Sequence, residues 1–397
     1  MPFPGHKMRL ADLLDAVASL CALQDGCDCA AVALSNLPDG AQLFISTSPT
    51  RPPRLLKQQM NVWLDLLQKA VAENEAIPPV SSAKQGSDML TPAQAALVRA
   101  VYWPSYAKFR VIALAADTAN DPRRLLTAVD EYLATPSPEP LPWEDRIRTL
   151  RSHVDSIVQL AERVPSLDHS TFTILLEAGQ FLWKILIDAE FLKWIEKLRY
   201  NAEEIIRRCS LLYVIFRMLL AQTLSKHRIL FANRPTVQWT RPSSVQKFVA
   251  DMSERSLEQH WRSCRWKLNA KVASATVIRK LQNTPPPGFT QHGLLYMHEH
   301  AETHCEAALV AQLQADGVVV DPYIASSRNP CYCCRKYIEA INSQADPQPS
   351  EGVLFELNYA RLYFSCLELP WTMPTATSPA VRQAFCDALA RELAPYL

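Results

Sequence analysis

Glycine is scarce in this chain, 9 of 397 residues, while proline reaches 29, so many connections are stiff, proline-marked loops. Long apolar runs are missing. The apolar stretch 211–220 is short, is interrupted by Arg217 and follows Arg207 and Arg208, so no transmembrane helix is expected. The first seven residues, MPFPGHK, lack the unbroken apolar stretch of a secretory leader. Internal repeats and coiled-coil heptads are also lacking. Net charge is only +1, so the whole molecule does not attract polyanions by charge alone. These absences, with an odd count of 11 cysteines, lead to an expectation of reduced thiols and an intracellular location, in cytoplasm or nucleus, with no membrane partner. Isolated Cys21, Cys209 and Cys386 read as small core hydrophobes.

What is present is ample apolar material: 48% hydrophobic residues, with 13 Phe, 12 Tyr and 9 Trp. That argues against a disordered chain. The length suggests two or three domains, or one domain with a large insertion. Charge is unevenly placed. Residues 241–280 carry nine Lys/Arg against three Asp/Glu, and residues 281–397 carry six against twelve.

Periodicity gives a coarse map. Residues 10–24 read as a helix. Two β-prone runs over 30–47 flank Pro38-Asp39-Gly40 and read as a hairpin. Residues 60–74 read as a helix with a stripe of Val62, Leu66, Leu67 and Val71, and Trp63 beside it. A polar connection over 76–93 overlaps a helix over 91–100, and 109–115 is β-capable. Residues 134–142 (ATPSPEPLP) form the clearest linker. Long helical patterns fill 144–229, where Trp183, Leu186, Phe191, Trp194 and Ile195 form a packing stripe. Residues 244–282 read as one or two helices. The last part alternates: strand at 293–297, helix at 304–315, strand at 318–324, helix at 331–343, strands at 352–357 and 362–369, helix at 378–394. That is an α/β pattern.

Two short segments carry the chemistry: His304-Cys305-Glu306 and, 24 residues after that Glu, Pro330-Cys331-Tyr332-Cys333-Cys334. Zn2+ takes His and Cys ligands, and a catalytic zinc keeps one position for water. His304, Cys331 and Cys334 make three ligands. The two Cys lie about one helical turn apart, and Pro330 suits the start of that helix. Glu306 would then move protons between the water and the substrate. Residues i and i+2 do not share a helix face, so the His304–Glu306 pair requires the first turn. Two other readings stand beside this one. The cluster can be a structural zinc knuckle, with Cys333, Cys305, His300 or His298 as fourth ligand, or ordinary buried cysteines.

These two segments resemble the zinc-dependent nucleoside, nucleotide and nucleic-acid deaminase superfamily (cytidine deaminase-like). His304-Cys-Glu-Ala-Ala-Leu309, Asn329-Pro-Cys-Tyr-Cys-Cys-Arg-Lys-Tyr337 and Leu369-Pro-Trp371 are most similar to a large, predominantly fungal branch also found in an Orientia-type bacterium. The specific resemblance covers roughly 290–375. It implies a mixed five-stranded sheet with flanking helices, and a large mainly helical region would accompany it. It implies His304, Cys331 and Cys334 as ligands and Glu306 as proton shuttle. The implied reaction replaces an exocyclic amine of a nucleobase, cytosine or adenine type, with oxygen. The substrate would be a nucleoside, a nucleotide or single-stranded DNA or RNA, and the implied role extends to nucleic-acid editing. A catalytically inactive, zinc-stabilised interaction module is the alternative, which the retained Glu306 argues against.

That fold needs a hairpin before the His-Glu helix, yet only 293–297 looks like strand there. The hairpin at 30–47 can supply it. The expected organisation is residues 1–54 as helix and hairpin belonging to the catalytic sheet, 55–285 as a mainly helical insertion or accessory domain, and 286–397 as the catalytic core. A separate N-terminal domain is the other arrangement.

Three residues are candidates for substrate contact. Tyr332 can border the pocket or pack on the sheet. Asn329, near Ser326-Ser327 at the end of a strand, can bond a base or ribose, or cap the next helix. Trp371 can stack on a base or cover the pocket. His298 and His300 can shape the entrance. Cys333 is expected to point away from the metal. Arg255, Arg262, Arg265, Lys267 and Lys271, interleaved with Trp261 and Trp266, read either as a single-strand surface or as an amphipathic helix with Trp inward.

Overall fold

The computed structural model describes residues 10–37, 40–48, 53–76, 90–114, 120–135, 143–199, 201–224, 228–240, 246–263, 269–283, 285, 289–290, 295–301, 303–344, 355–357 and 371–393. Helix α1 (Leu10–Ala22) leads into strands β1 (Cys29–Leu37) and β2 (Gly40–Ser48). There follow α2 (Arg54–Ala76), α3 (Pro92–Ala113), α4 (Pro122–Ala134), α5 (Glu144–Arg163), α6 (His169–Leu186), α7 (Ala189–Leu198), α8 (Ala202–Cys209), α9 (Leu211–Leu224) and the short α10 (Ile229–Ala232). Next come β3 (Thr236–Trp239), β4 (Gln246–Asp251), α11 (Glu254–Ser263), α12 (Ala270–Asn283), β5 (Phe289–Thr290) and β6 (Leu295–Ala301). The chain continues through α13 (Cys305–Ala315), β7 (Tyr323–Ser326), α14 (Tyr332–Gln344), β8 (Glu356–Leu357) and α15 (Pro379–Leu393).

A mixed five-stranded sheet in the order β3-β2-β1-β7-β8 is the platform of the molecule. β1 and β2 pair antiparallel from Cys29↔Ser48 to Leu37↔Gly40, the expected hairpin. β1 then pairs antiparallel with β7, Ala31 opposite Ser326 and Val32 opposite Ala325. β3 runs parallel to β2, and β8 parallel to β7. Residues 30–47 therefore share one sheet with the strand that leads to the cysteine motif, as the split arrangement requires. A strand from the long middle region, β3, joins them.

β1 shows why the sheet is covered on both sides. Side chains alternate faces along a strand. Ala30, Val32 and Leu34 enter a large core shared with α1 and the helical region. Cys29, Ala31 and Ala33 enter a second core, shared with α13, α14 and α15. Both Val32 and Leu34 are fully buried, each worth about 1.5–3 kcal/mol relative to exposure. A strand buried on both faces reads as a continuous apolar run, which is how Ala30-Ala-Val-Ala-Leu34 reads. Ser327 fastens this strand to the cysteine motif. Its backbone N–H donates to Ala30 O at 2.9 Å, and its Oγ accepts from Ala30 N at 2.9 Å.

Several expectations need correction. The β-capable run at 109–115 lies mostly within α3. Thr91 caps that helix in a reciprocal box with Gln94, and Pro92 occupies its first turn. Val98, Val101, Tyr102, Tyr106, Phe109 and Ala113 then recur at helical spacing and are buried. The stretch 244–282 begins with a strand, β4, before helices α11 and α12. The strand expected at 318–324 starts only at Tyr323 and extends to Ser326. On α2, Trp63 is buried at 2% exposure while Val62, assigned to the apolar stripe, is exposed at 43%. The strand before His304 is β6, which joins β4 and β5 in a separate three-stranded sheet. The strand candidate at 362–369 and most of the 134–142 linker lie outside the described residues. Among the described residues, no single helix is long and apolar enough to cross a membrane.

Candidate metal centre and active site

His304 occupies the N-cap of α13 in an extended conformation, φ −63° and ψ 150°. This resolves the i, i+2 difficulty, because the helix starts one residue later and does not fix the direction of the His304 side chain. Glu306 lies in the first turn, 4% exposed, and His304 is 7% exposed. The second arm is the β7–α14 connection. Cys331 immediately precedes α14, and its Sγ accepts from Cys334 N at 3.3 Å, so the cysteine itself caps the helix. Cys334, one turn in, is fully buried.

The ring nitrogen of His304 and the sulfurs of Cys331 and Cys334 all lie within 4.8 Å of one another. One imidazole and two thiols are the donor set that suits a borderline-soft ion such as zinc, and three protein ligands leave a fourth position open. The residues fit a metal. Hydrogen bonds from Cys333, Cys334 and His304 hold the Cys331 thiol well below its ordinary value, against burial that opposes them. Burial pushes the Cys334 thiol up, reinforced by Cys331 and the nearby Glu306.

Glu306 lies beside this triangle. Ser326 Oγ donates to its Oε1 at 2.6 Å. The Cys334 and Cys305 thiols lie 3.7 Å and 3.5 Å from its Oε2. Cys305 Sγ in turn sits 3.1 Å from Cys29 Sγ on β1, and burial raises the Cys305 thiol. Thr303 and Thr372 meet through their hydroxyls at 3.2 Å, which ties the segment carrying Trp371 to the entry of α13.

The substrate-contact candidates fall out differently. Tyr332 is 42% exposed. Its hydroxyl bonds Glu392 on α15, and Lys336 lies 5.7 Å from its ring. Asn329 is exposed in the β7–α14 connection, and the cap it was expected to supply comes from Cys331. One face of Trp371 is taken by Phe385, 5.0 Å away and inclined by 28°, and Tyr337 lies 5.9 Å off. The Trp371 indole N–H is buried. Cys333 hydrogen-bonds Cys331 and is not one of the three converging donors. Side chains of His298 and His300 lie outside the described residues.

On the basic stretch, Trp261 is buried against Leu257, Ala273 and Ala390, and Arg262 pairs with Glu258 at 2.6 Å. That is the amphipathic-helix arrangement; Arg265, Trp266 and Lys267 are outside the described residues. Sequence reasoning placed Ser326 at a strand end but missed its bond to Glu306, and missed the Cys29–Cys305 contact. The only sequence signal for either was the position of Ser326 at the end of a strand before the cysteine motif.

Residues 303–374 match the family described as OTT_1508-like deaminase. No curated protein and no solved structure matches the chain. The matched segment holds His304, Glu306, Cys331 and Cys334, and the mixed sheet beneath it has the architecture such a site requires. Over these residues the chain is similar to that deaminase family.

Proposed function

We propose that the protein is a zinc-dependent hydrolase that removes the exocyclic amine of a cytosine- or adenine-type base. That base is carried on a nucleoside, a nucleotide or a single strand. The observation that carries this reading is the buried Glu306 carboxylate beside three converging donors, His304, Cys331 and Cys334. When bound, zinc supplies the Lewis acidity that makes water a nucleophile near neutral pH. His304, Cys331 and Cys334 would hold it. Glu306 accepts the proton of the attacking water and passes it to the ring nitrogen and then to the leaving amine. Water is consumed, the C–NH2 carbon becomes a carbonyl and ammonia departs. Burying a carboxylate is costly unless it is compensated, and a purely structural metal site has no use for one there. That argues against an inactive interaction module.

Within the candidate substrate set, the exposure of Asn329 in the β7–α14 connection supports a role in binding a base or ribose edge. Trp371 is assigned to the wall of the pocket, because Phe385 occupies one of its faces. The burial of Trp261 removes one stacking platform from the single-strand reading. The test is metal analysis combined with ammonia release over nucleosides, nucleotides and oligonucleotides. Glu306→Ala retains zinc and loses turnover, and His304→Ala loses both. Turnover that survives in a clean Glu306→Ala preparation overturns the mechanism.

A further inference from the structure

A carboxylate has two oxygens, and a proton carrier needs one of them free and correctly aimed. The two oxygens of Glu306 have different surroundings. Oε1 accepts the Ser326 hydroxyl at 2.6 Å, a short charge-assisted bond. Among the described residues, Oε2 has no hydroxyl or N–H partner of that kind; it lies on the side of the donor triangle, 3.7 Å from Cys334 Sγ and 3.5 Å from Cys305 Sγ, both weak thiol donors. Ser326 is itself 2% exposed, and its Oγ lies 3.4 Å from the backbone N–H of Arg328. A donor on the lone-pair side leaves the hydroxyl proton to point at Glu306, and each bond polarises the other.

The position of Ser326 is fixed by backbone on both flanks. It pairs with Ala31 across the β1–β7 ladder. The next residue, Ser327, is bound twice to Ala30. The hydroxyl therefore rests on a sheet strand, the kind of support that holds a reacting group within a fraction of an ångström. Glu306 itself belongs to the first turn of α13, on a different element. Nothing in the backbone of α13 selects which carboxylate oxygen faces the triangle; the short Ser326 bond on Oε1 is the strongest contact that does, with the long, weak Cys305 thiol contact on Oε2 beside it.

We infer that Ser326 is a positioning residue of the active site: by holding Glu306 Oε1 it presents Oε2 to the three donors for proton transfer. The inference rests on the deaminase reading above and deepens it. It also assigns the hairpin a part in the site, because β1 is what holds Ser326 in place.

The test uses the whole 397-residue chain loaded with Co(II) in place of zinc, whose visible absorption reports the surroundings of the ion. Ser326→Ala is expected to retain one equivalent of metal and to shift the visible bands. Ser326→Thr, which restores the hydroxyl, returns them to the native position. In a Glu306→Ala background, adding Ser326→Ala is expected to change nothing further, because the group it positions is gone. On whichever substrate the panel identifies, Ser326→Ala lowers kcat by up to about 100-fold, the loss expected from an ångström-scale misplacement, with KM little changed. Should Ser326→Ala fail to fold, Ser326→Cys fills the same space with a weak donor and carries the same comparison. Unchanged bands in a metal-loaded Ser326→Ala protein overturn the inference and leave the metal centre standing. So does an equal shift with and without Glu306, which marks a merely structural role. A native protein that takes up neither Co(II) nor zinc overturns the metal centre, and the inference with it.

Discussion

Replacing Ser327 with Ala tests whether the hairpin is seated in the five-stranded sheet beside the cysteine motif. Ser327 is fully buried, and its Oγ accepts the Ala30 N–H at 2.9 Å. Alanine leaves that donor facing a methyl group, away from water. An orphaned buried N–H costs about 1–3 kcal/mol, and the volume change is too small to add a significant cavity. The cost falls on one contact between β1 and the β7–α14 connection, so it appears as easier local opening of β1. At about 1.4 kcal/mol per factor of ten, the amides of β1 should exchange about 5- to 150-fold faster. Hydrogen exchange read by mass spectrometry on a peptide spanning 29–37 measures this directly. A peptide from α6, within the helical region, serves as the unaffected reference. If β1 keeps native protection in a folded Ser327→Ala protein, the hairpin is not seated on β7. The split sheet would then be wrong.

Two further outcomes follow. Cys29 and Cys305, with sulfurs 3.1 Å apart and 276 positions separated in sequence, should cross-link under copper-catalysed oxidation. The product is seen as a compact band on a non-reducing gel and lost in Cys29→Ala; a native-mobility band after prolonged oxidation speaks against their contact. Asp188 caps α7 by accepting from Phe191 N at 3.1 Å, and that bond, with Arg146 beside it, holds its carboxyl below the ordinary 3.8. A depressed folded value means the contribution is present above 3.8 and lost as pH falls through the folded value. Asp188→Ala should therefore cost about 1 kcal/mol at neutral pH, with the gap to native closing in acid. Paired thermal melts across pH check this, and a gap that persists to low pH refutes it.

The donor cluster was legible because metal ligation demands particular atoms at short spacing: a His with a Glu two residues on, and two Cys one turn apart behind a Pro. Hairpin 30–47 was legible from two β-prone runs about a Pro-Asp-Gly turn, although its partner strand lay nearly 300 residues away. Other features were not. Phe109 and the β-branched residues after it fit strand or helix equally in a short window, and the capping box at Thr91 decided for helix. Tyr332, between two of the donor cysteines in sequence, points to α15 because neighbouring helix positions face different ways. Ser326 and Glu306 meet only through sheet register, which no local pattern encodes. Trp371 looked free to stack on a ligand until Phe385, on the last helix, was found against its face.

The position of β1 in the chain also has a consequence for biosynthesis. Its antiparallel partner β7 leaves the ribosome almost 290 residues later, an interval of about 15–60 s at ordinary elongation rates of roughly 5–20 residues per second. During that time the helical region can assemble against Val32, Leu34 and Ile45. The opposite face waits for α13 and α14. On β1 that waiting face consists of Cys29, Ala31 and Ala33, the smallest apolar side chains available. The nascent chain thus exposes little sticky surface on this strand while the segment bearing His304, Cys331 and Cys334 is still being made.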